Sequence, residues 1–327
     1  MIPAGMLVTA STVTQADARR VFDTYVATSD RALAAKNYPA ALALTRDVQF
    51  QELKAEVTAA TVTHGKVPTY QYGTPSFIVP DLTRFPQWFG AVVERTAPAG
   101  RTLAGVSLPA KDQVVMLFQR VGTKQPWQLA ATAQLPAGQA LPKLATAGDG
   151  RTPVAALDDA SFFVRPDVVG PLQASVVDDG PSSLARQHAV ASGPMTTGMY
   201  AFQTNPPRAY RQPKGDVRQW ALQGATYNRF AVRTANGGAL VFYSDFLGLT
   251  TEVPAELAQA DVIPRGPLIS IPPEFAPLLP AHDPPPRREL RASYTLTFAA
   301  IDPPATAAAQ KIQVIAIGGG PTSISSR

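Results

Sequence analysis

Apolar positions recur along this chain with two periods, and the change of period organises it. Val21, Phe22, Tyr25, Val26 and Leu33 recur near helical spacing behind the run STVTQAD, which is rich in capping residues, so a helix is predicted over 12–35. Asn37-Tyr38-Pro39 interrupts, and 40–50, with Leu42 and Leu44 inward, predicts a second short helix that 53–60 continues. After His64-Gly65 the period shortens. Residues 69–79 alternate loosely around Gly73 and Pro75, 87–95 form an apolar run, and 113–121 with 127–135 flank a Gly-Thr-Lys-Gln-Pro loop as a hairpin. Residues 139–144 read as a short helical turn.

ATAGDGR at 145–151 reads as a boundary, and 152–181 as linker, short helix or both. SSLARQHAVAS predicts a short helix stopped by Gly193-Pro194, 199–203 a strand, and 206–218 a polar, Pro-broken loop. The strongest hairpin signal is 220–253, where two apolar-aromatic runs flank Asn236-Gly237-Gly238, residues that supply the positive φ of tight turns. Residues 254–286 are Pro-rich, with a possible helical piece at 255–260. In 288–300, Leu290, Ala292, Tyr294, Leu296 and Phe298 share one face, and 310–317 follows as its partner strand after a long connection. The two halves share a plan, QVVMLFQRV…WQLAATAQL standing where ASYTLTFAA…KIQVIAIGG stands later, a weak internal repeat. Alternation with polar outer positions predicts antiparallel sheets with one face covered.

Composition narrows this further. At 327 residues, two domains are the natural expectation, and 32 prolines exclude a mostly long-helical protein. The absence of Cys excludes disulfides, thiolate metal sites and Cys nucleophiles. A net charge of +5 is too mild to imply nucleic-acid binding. No run of 18 apolar residues marks a membrane span, and MIPAGMLVTA lacks the features of a signal peptide. The Ala/Pro/Thr/Arg bias with little Lys points to an exported protein of a high-GC bacterium whose leader is absent from this chain, against the cytosolic alternative.

The helical stretch VFDTYVATSDRALAAKNYPAALAL, followed by strands through Leu135, resembles the cystatin/NTF2-like α+β fold, and the second half resembles its sheet with less helix. The resemblance implies two related domains, each a curved antiparallel sheet packed against helix: 12–148, a linker at 149–181, and 182–320. Tandem domains of this kind are similar to the extracytoplasmic parts of uncharacterised actinobacterial-type lipoproteins and membrane proteins. The expectation is therefore a non-catalytic binding or scaffolding module of the cell envelope, membrane-anchored or secreted, without cofactor. Its partner would be an envelope protein or an anionic wall or membrane component. The rival is a small-molecule binding protein or enzyme using a cone-shaped pocket in the first domain. A third reading is assembly through an exposed strand at 199–203.

The chemistry-bearing patterns are sparse. IQVIAIGGGPTS imitates a dinucleotide-binding turn but lacks the following helix and second strand, so it reads as a last strand running into a tail. His64, His188 and His282 show no metal-ligand spacing, and Asp158-Asp159 and Asp178-Asp179 lack calcium-loop spacing. The densest cluster is basic: Arg208, Arg211, Lys214 and Arg218 with Tyr210 and Trp220, suited to an anionic partner or, equally, to a solvated loop; Arg287, Arg288 and Arg291 form a second. In the first half Phe22, Tyr25, Tyr70, Tyr72, Phe77, Trp88 and Phe118 either line a pocket or fill the core.

Overall fold

The computed structural model describes residues 11–206, 217–253, 269–279, 289–307 and 310–326. The chain is α+β, with a large antiparallel sheet and a few helices. Helix α1 (Gln15–Ala34) starts at Thr14, whose hydroxyl accepts from the Asp17 N–H at 3.1 Å while the Asp17 carboxylate accepts from the Thr14 N–H at 3.2 Å, a reciprocal cap. Asn37 caps α2 (Tyr38–Ala43), with proline in the first turn. The helical pattern continues into α3 (Asp47–Val62), but not without a break. The Arg46 N–H donates to the Leu129 carbonyl, and the Leu129 N–H to the Leu44 carbonyl, each at 2.9 Å, so the intervening backbone is extended.

Strands β1 (Gln71–Tyr72), β2 (Ser76–Ile78), β3 (Gln87–Thr96), β6 (Lys111–Arg120) and β7 (Gln128–Gln134) build the first half of the sheet. Between them β4 (Arg101–Leu103) and β5 (Val106–Leu108) form a separate small hairpin in a stretch for which the sequence carried no element. Strands β8 (Val217–Gly224), β9 (Phe230–Arg233), β10 (Ala239–Glu252), β11 (Glu289–Asp302) and β12 (Gln313–Ser326) build the second half. The order is β1-β3-β6-β7-β12-β11-β10-β8, so one ten-stranded sheet passes through both halves and joins at β7 and β12.

The expectation of one covered face is corrected for the inner strands. On β3 and β6, Trp88, Val92, Val115 and Leu117 belong to a core shared with Phe230, Leu240, Phe242 and Ala299 of the second half. The alternate residues Phe89, Ala91, Val93, Val114, Met116 and Phe118 pack under α1. The sheet curls so far that the Trp88 and Phe230 rings lie 4.9 Å apart. On the far side Tyr243, Leu296 and Phe298 pack under α4 (Val169–Asp179) and α6 (Thr197–Thr204), with α5 (Leu184–His188) beside them. Of the predicted row, Ala292, Tyr294, Leu296 and Phe298 share one buried core, and Leu290 is buried in a small neighbouring cluster with Val253 and Ile269.

Three local expectations change. Residues 199–203 lie within the helix α6, whose Met199 and Phe202 point inward one turn apart; a five-residue apolar run carries no period able to separate helix from strand. Residues 139–144 form no helix and bridge to the second half through Leu144 and Thr234. The Gly318-Gly319-Gly320 run is no tail, because β12 continues through it to Ser326, paired with β11 throughout. The open stretch 152–181 contains a 3-10 turn and α4. The helical piece expected at 255–260 lies outside the described residues.

The central hairpin turns where expected. Gly237 has φ +86°, the Thr234 N–H donates to the Gly238 carbonyl at 2.9 Å, and the Thr234 hydroxyl donates to Asn236 Oδ1 at 2.6 Å. A β-branched residue is strained at that φ, so Gly237→Val should lower unfolding free energy by about 1–3 kcal/mol. A urea melt superimposable on that of the unaltered protein would remove the assignment.

Candidate functional site

The site is a cleft in the first half, between α1, α3 and the end of β3 where β1 pairs with it. Each wall follows from local periodicity. On β3, Phe89, Ala91 and Val93 face α1 and are buried; two residues on, Arg95 takes the same face at the strand's end, where the helix no longer covers it. Its cross-strand partner is Tyr72. On α3, Val48, Glu52 and Glu56 succeed one another at one-turn spacing, Val48 and Glu52 being buried and Glu56 half-buried. From α1, Tyr25, Ser29 and Asp30 complete the wall.

Three neighbouring chambers lie here with overlapping linings, and Tyr70 borders all of them. The innermost holds about 40 Å³ between Tyr25, Glu52, Glu56, Tyr70, Tyr72 and Arg95, enough for ordered water and too small for an organic molecule. The second holds about 280 Å³; its walls are Pro68, Ala97, Pro98, Ala99 and Pro109, and its charged groups are Glu56, Arg95 and Arg101. The third is an open groove of about 660 Å³ along α1, reaching Arg19, Asp23 and Gly73.

The two glutamates one turn apart are treated differently. Glu52 lies 3.4 Å from Arg101 and accepts from Gln49 at 3.2 Å. Glu56 has no ion pair among the described residues; the Tyr70 hydroxyl, 3.5 Å from its Oε1, is its hydrogen-bonding neighbour. Burial, and then repulsion by Glu52, push the Glu56 carboxyl up to about 8, against the opposing pull of Arg101 and Arg95. Burial also raises Asp30, Tyr25 and Tyr70, and it carries Tyr72 up to about 12. Arg95 lies over the Tyr70 ring, 4.6 Å from its centroid, and donates to Gln134 Oε1 at 3.0 Å; it too lacks an ion pair among the described residues. The guanidinium is thus fixed by a ring and one amide, and its remaining N–H groups have no hydrogen-bond partner among the described residues.

The Glu56 shift has a stability consequence. Between its ordinary value of 4.5 and about 8 the unfolded chain has lost this proton and the folded chain retains it, so the group contributes a loss of stability as pH rises through that window. Glu56→Gln, which cannot ionise, should raise the melting temperature relative to the unaltered protein at pH 8 and above, with a smaller difference at pH 5. Equal melting temperatures at both pH values would show that Glu56 is ordinarily solvated.

The seven aromatics named from sequence divide. Phe22, Phe77 and Phe118 pack edge-to-face in the core, Trp88 lies in the layer shared by both halves, and Tyr25, Tyr70 and Tyr72 line the cleft. Of the basic cluster, Arg208, Tyr210, Arg211 and Lys214 lie outside the described residues; Arg218 is in β8, opposite Thr251. Arg287 and Arg288 also lie outside them, while Arg291 pairs with Glu289 at 2.6 Å. His64 and His188 are exposed and border none of the chambers; His282 lies outside the described residues. No group of three His, Asp or Glu side chains is placed to hold a metal among the described residues. Asp159 instead pairs with Arg233, and Asp178 accepts from the Leu222 N–H at 3.0 Å. Arg95, Glu52, Glu56 and Arg101 were not singled out from the sequence. Their signal was present: a charge in phase with a buried row on β3, and two glutamates in phase with Val48 on α3.

The chain belongs to the family described as "Domain of unknown function (DUF8094)", whose model matches residues 9–318. It is also similar to an uncharacterised lipoprotein of Streptomyces avermitilis, 27% identical over 219 residues, which cover 66% of this chain and 58% of that relative. The matched stretch therefore spans less than two thirds of the relative's length. No solved structure matches significantly. No described helix is long and apolar enough to cross a membrane.

Proposed function

We propose that this protein is an extracytoplasmic binding module of the bacterial cell envelope, non-catalytic, whose ligand is a small molecule held in the cleft between α1, α3 and β1. The observation that carries the reading is Arg95, a guanidinium that borders two of the chambers without an ion pair among the described residues, beside the buried carboxyl of Glu56, which burial holds towards its neutral form. Leaving a cation without a counter-charge in a partly desolvated cleft is costly unless a ligand completes it. The apolar walls of the 280 Å³ chamber with a few convergent polar groups are the usual composition of a ligand pocket. Binding is favoured over catalysis because, among the described residues, no histidine reaches the cleft to activate one of its hydroxyls: His64 and His188 border none of its chambers. The envelope location is supported by the lipoprotein relative and by the exported-protein composition.

The finer architecture belongs to the same proposal. The order β3-β6-β7 is mirrored by β10-β11-β12 about the β7–β12 seam, and each half carries a helix on its outer face, α1 or α4. That arrangement supports reading the halves as tandem relatives of cystatin/NTF2-like type.

The test is a thermal-shift panel of small metabolites on the unaltered protein and on Ala97→Trp, whose ring would occupy the 280 Å³ chamber that Ala97 lines. A compound present at 100 times its dissociation constant adds about 2.7 kcal/mol of stability. Compounds that stabilise the unaltered protein and lose that effect in Ala97→Trp support the cleft as the site. A panel with no stabilising compound, or with shifts equal in both proteins, would count against it.

A further inference from the structure

The proposal of a ligand cleft leaves the ligand's chemistry open, and the second chamber narrows it. We infer that this chamber receives the carboxylate of a small organic acid, with Arg95 as the anion-binding residue and the Pro/Ala wall covering the acid's apolar body. The inference rests on the cleft being a ligand site, and the geometry adds the charge. Arg95 lines the chamber without an ion pair among the described residues, held by the Tyr70 ring on one side and Gln134 on another. A pre-oriented guanidinium matches a carboxylate through two parallel N–H···O bonds, which a point charge such as lysine does not reproduce. Arg101 adds a second guanidinium to the same wall, with Glu52 on its other side as a counter-charge outside the lining of this chamber.

The remaining acid of the chamber, Glu56, would repel an anion if it were ionised. Among the described residues its charged and titratable neighbours are Glu52 on its own helix, Arg95 on β3, Arg101 on β4, Tyr70 just before β1, Tyr72 in β1 and Tyr25 from α1. Burial and Glu52 outweigh the two arginines and keep the Glu56 carboxyl protonated up to about pH 8. At neutral pH it therefore faces the chamber as a neutral donor, and the chamber's balance is positive. The size suits the same class. A dry cavity of about 150 Å³ admits benzene, so 280 Å³ accommodates a ring or short chain carrying one carboxylate.

The experiment compares three probes of one body and different charge: benzoate, benzyl alcohol and benzylammonium. Each is titrated by ligand-observed NMR into the full chain and into Arg95→Met and Arg95→Lys, with circular dichroism confirming that the variants fold. Benzoate is expected to bind tightest of the three, to weaken at least about tenfold in Arg95→Met, and to recover only partly in Arg95→Lys. Its affinity should fall from pH 7 to pH 9 as Glu56 ionises, and Glu56→Gln should flatten that profile. Preference for benzylammonium, with affinity rising over the same pH range, would overturn the anion inference and leave the cleft as a cation site. Benzoate binding unchanged in Arg95→Met would also overturn it. Failure of all three probes to bind would overturn the inference for acids of this size, and the thermal-shift panel then decides the wider reading separately.

Discussion

Gly318→Ala is expected to lower the unfolding free energy by about 3 kcal/mol or more, a severe effect for one methyl group. A Cβ at this position would sit 1.6 Å from the Thr132 carbonyl oxygen and 2.7 Å from its carbon. Those atoms are backbone of β7, held in the sheet, and cannot rotate away as a side-chain tip would. Gly319 is constrained on the opposite side: its φ is +88°, and a Cβ would lie 2.0 Å from the Thr295 oxygen of β11. The glycine run is thus the place where β12 squeezes between the last strand of the first half and its own hairpin partner. Gly148→Ala serves as the control, since a Cβ there meets nothing within 4 Å, and it should shift stability by less than about 0.5 kcal/mol. Guanidinium melts of the two variants make the comparison. Gly318→Ala within error of Gly148→Ala would mean that the strands do not approach this closely.

Trp88→Ala is expected to cost about 3–5 kcal/mol, the range for removing a large aromatic from a packed core. Trp88 is 4% exposed, and its ring packs against Phe230 at 4.9 Å and Phe242 at 6.4 Å, both from the second half. The loss should therefore be felt on both sides of the seam. Trp127 reports on the first half and Trp220 on the second. In the Trp88→Ala protein, denaturation followed by their fluorescence and by far-UV circular dichroism should give coincident midpoints. Separate transitions, with the second half unmoved, would show that the shared layer does not couple the halves.

These two predictions also mark how far the sequence could be read. The hairpin at Asn236-Gly237-Gly238 was legible because positive φ is a local demand that Asn and Gly meet by themselves. The row Ala292, Tyr294, Leu296 and Phe298 was legible because period-2 alternation is written along one strand. The role of Gly318 was not, since nothing in IGGGP states that another strand's carbonyl lies where a Cβ would be. Trp88 was named only as one of seven aromatics, and contacts with residues 230 and 242 leave no trace at residue 88. Residues 199–203 were misread because five apolar residues fit either period, and only their packing under the sheet selects the helix.

The candidate site shows the same division. The tyrosines at 25, 70 and 72 were recognised as candidates, but Arg95 and Glu56 were not, because a charge in phase with a buried row looks on paper like the end of an element. Local sequence determined the class of the protein's elements: helices first, then antiparallel strands, with glycine turns and no Cys chemistry. The tertiary structure alone decided that both halves contribute to one curled sheet, and that Arg95 and Glu56 meet in one cleft. Turn geometry and periodicity are set by neighbours in the chain. The protonation of Glu56 and the unpaired state of Arg95 depend on burial and on charges brought together from distant positions in the chain, which folding creates.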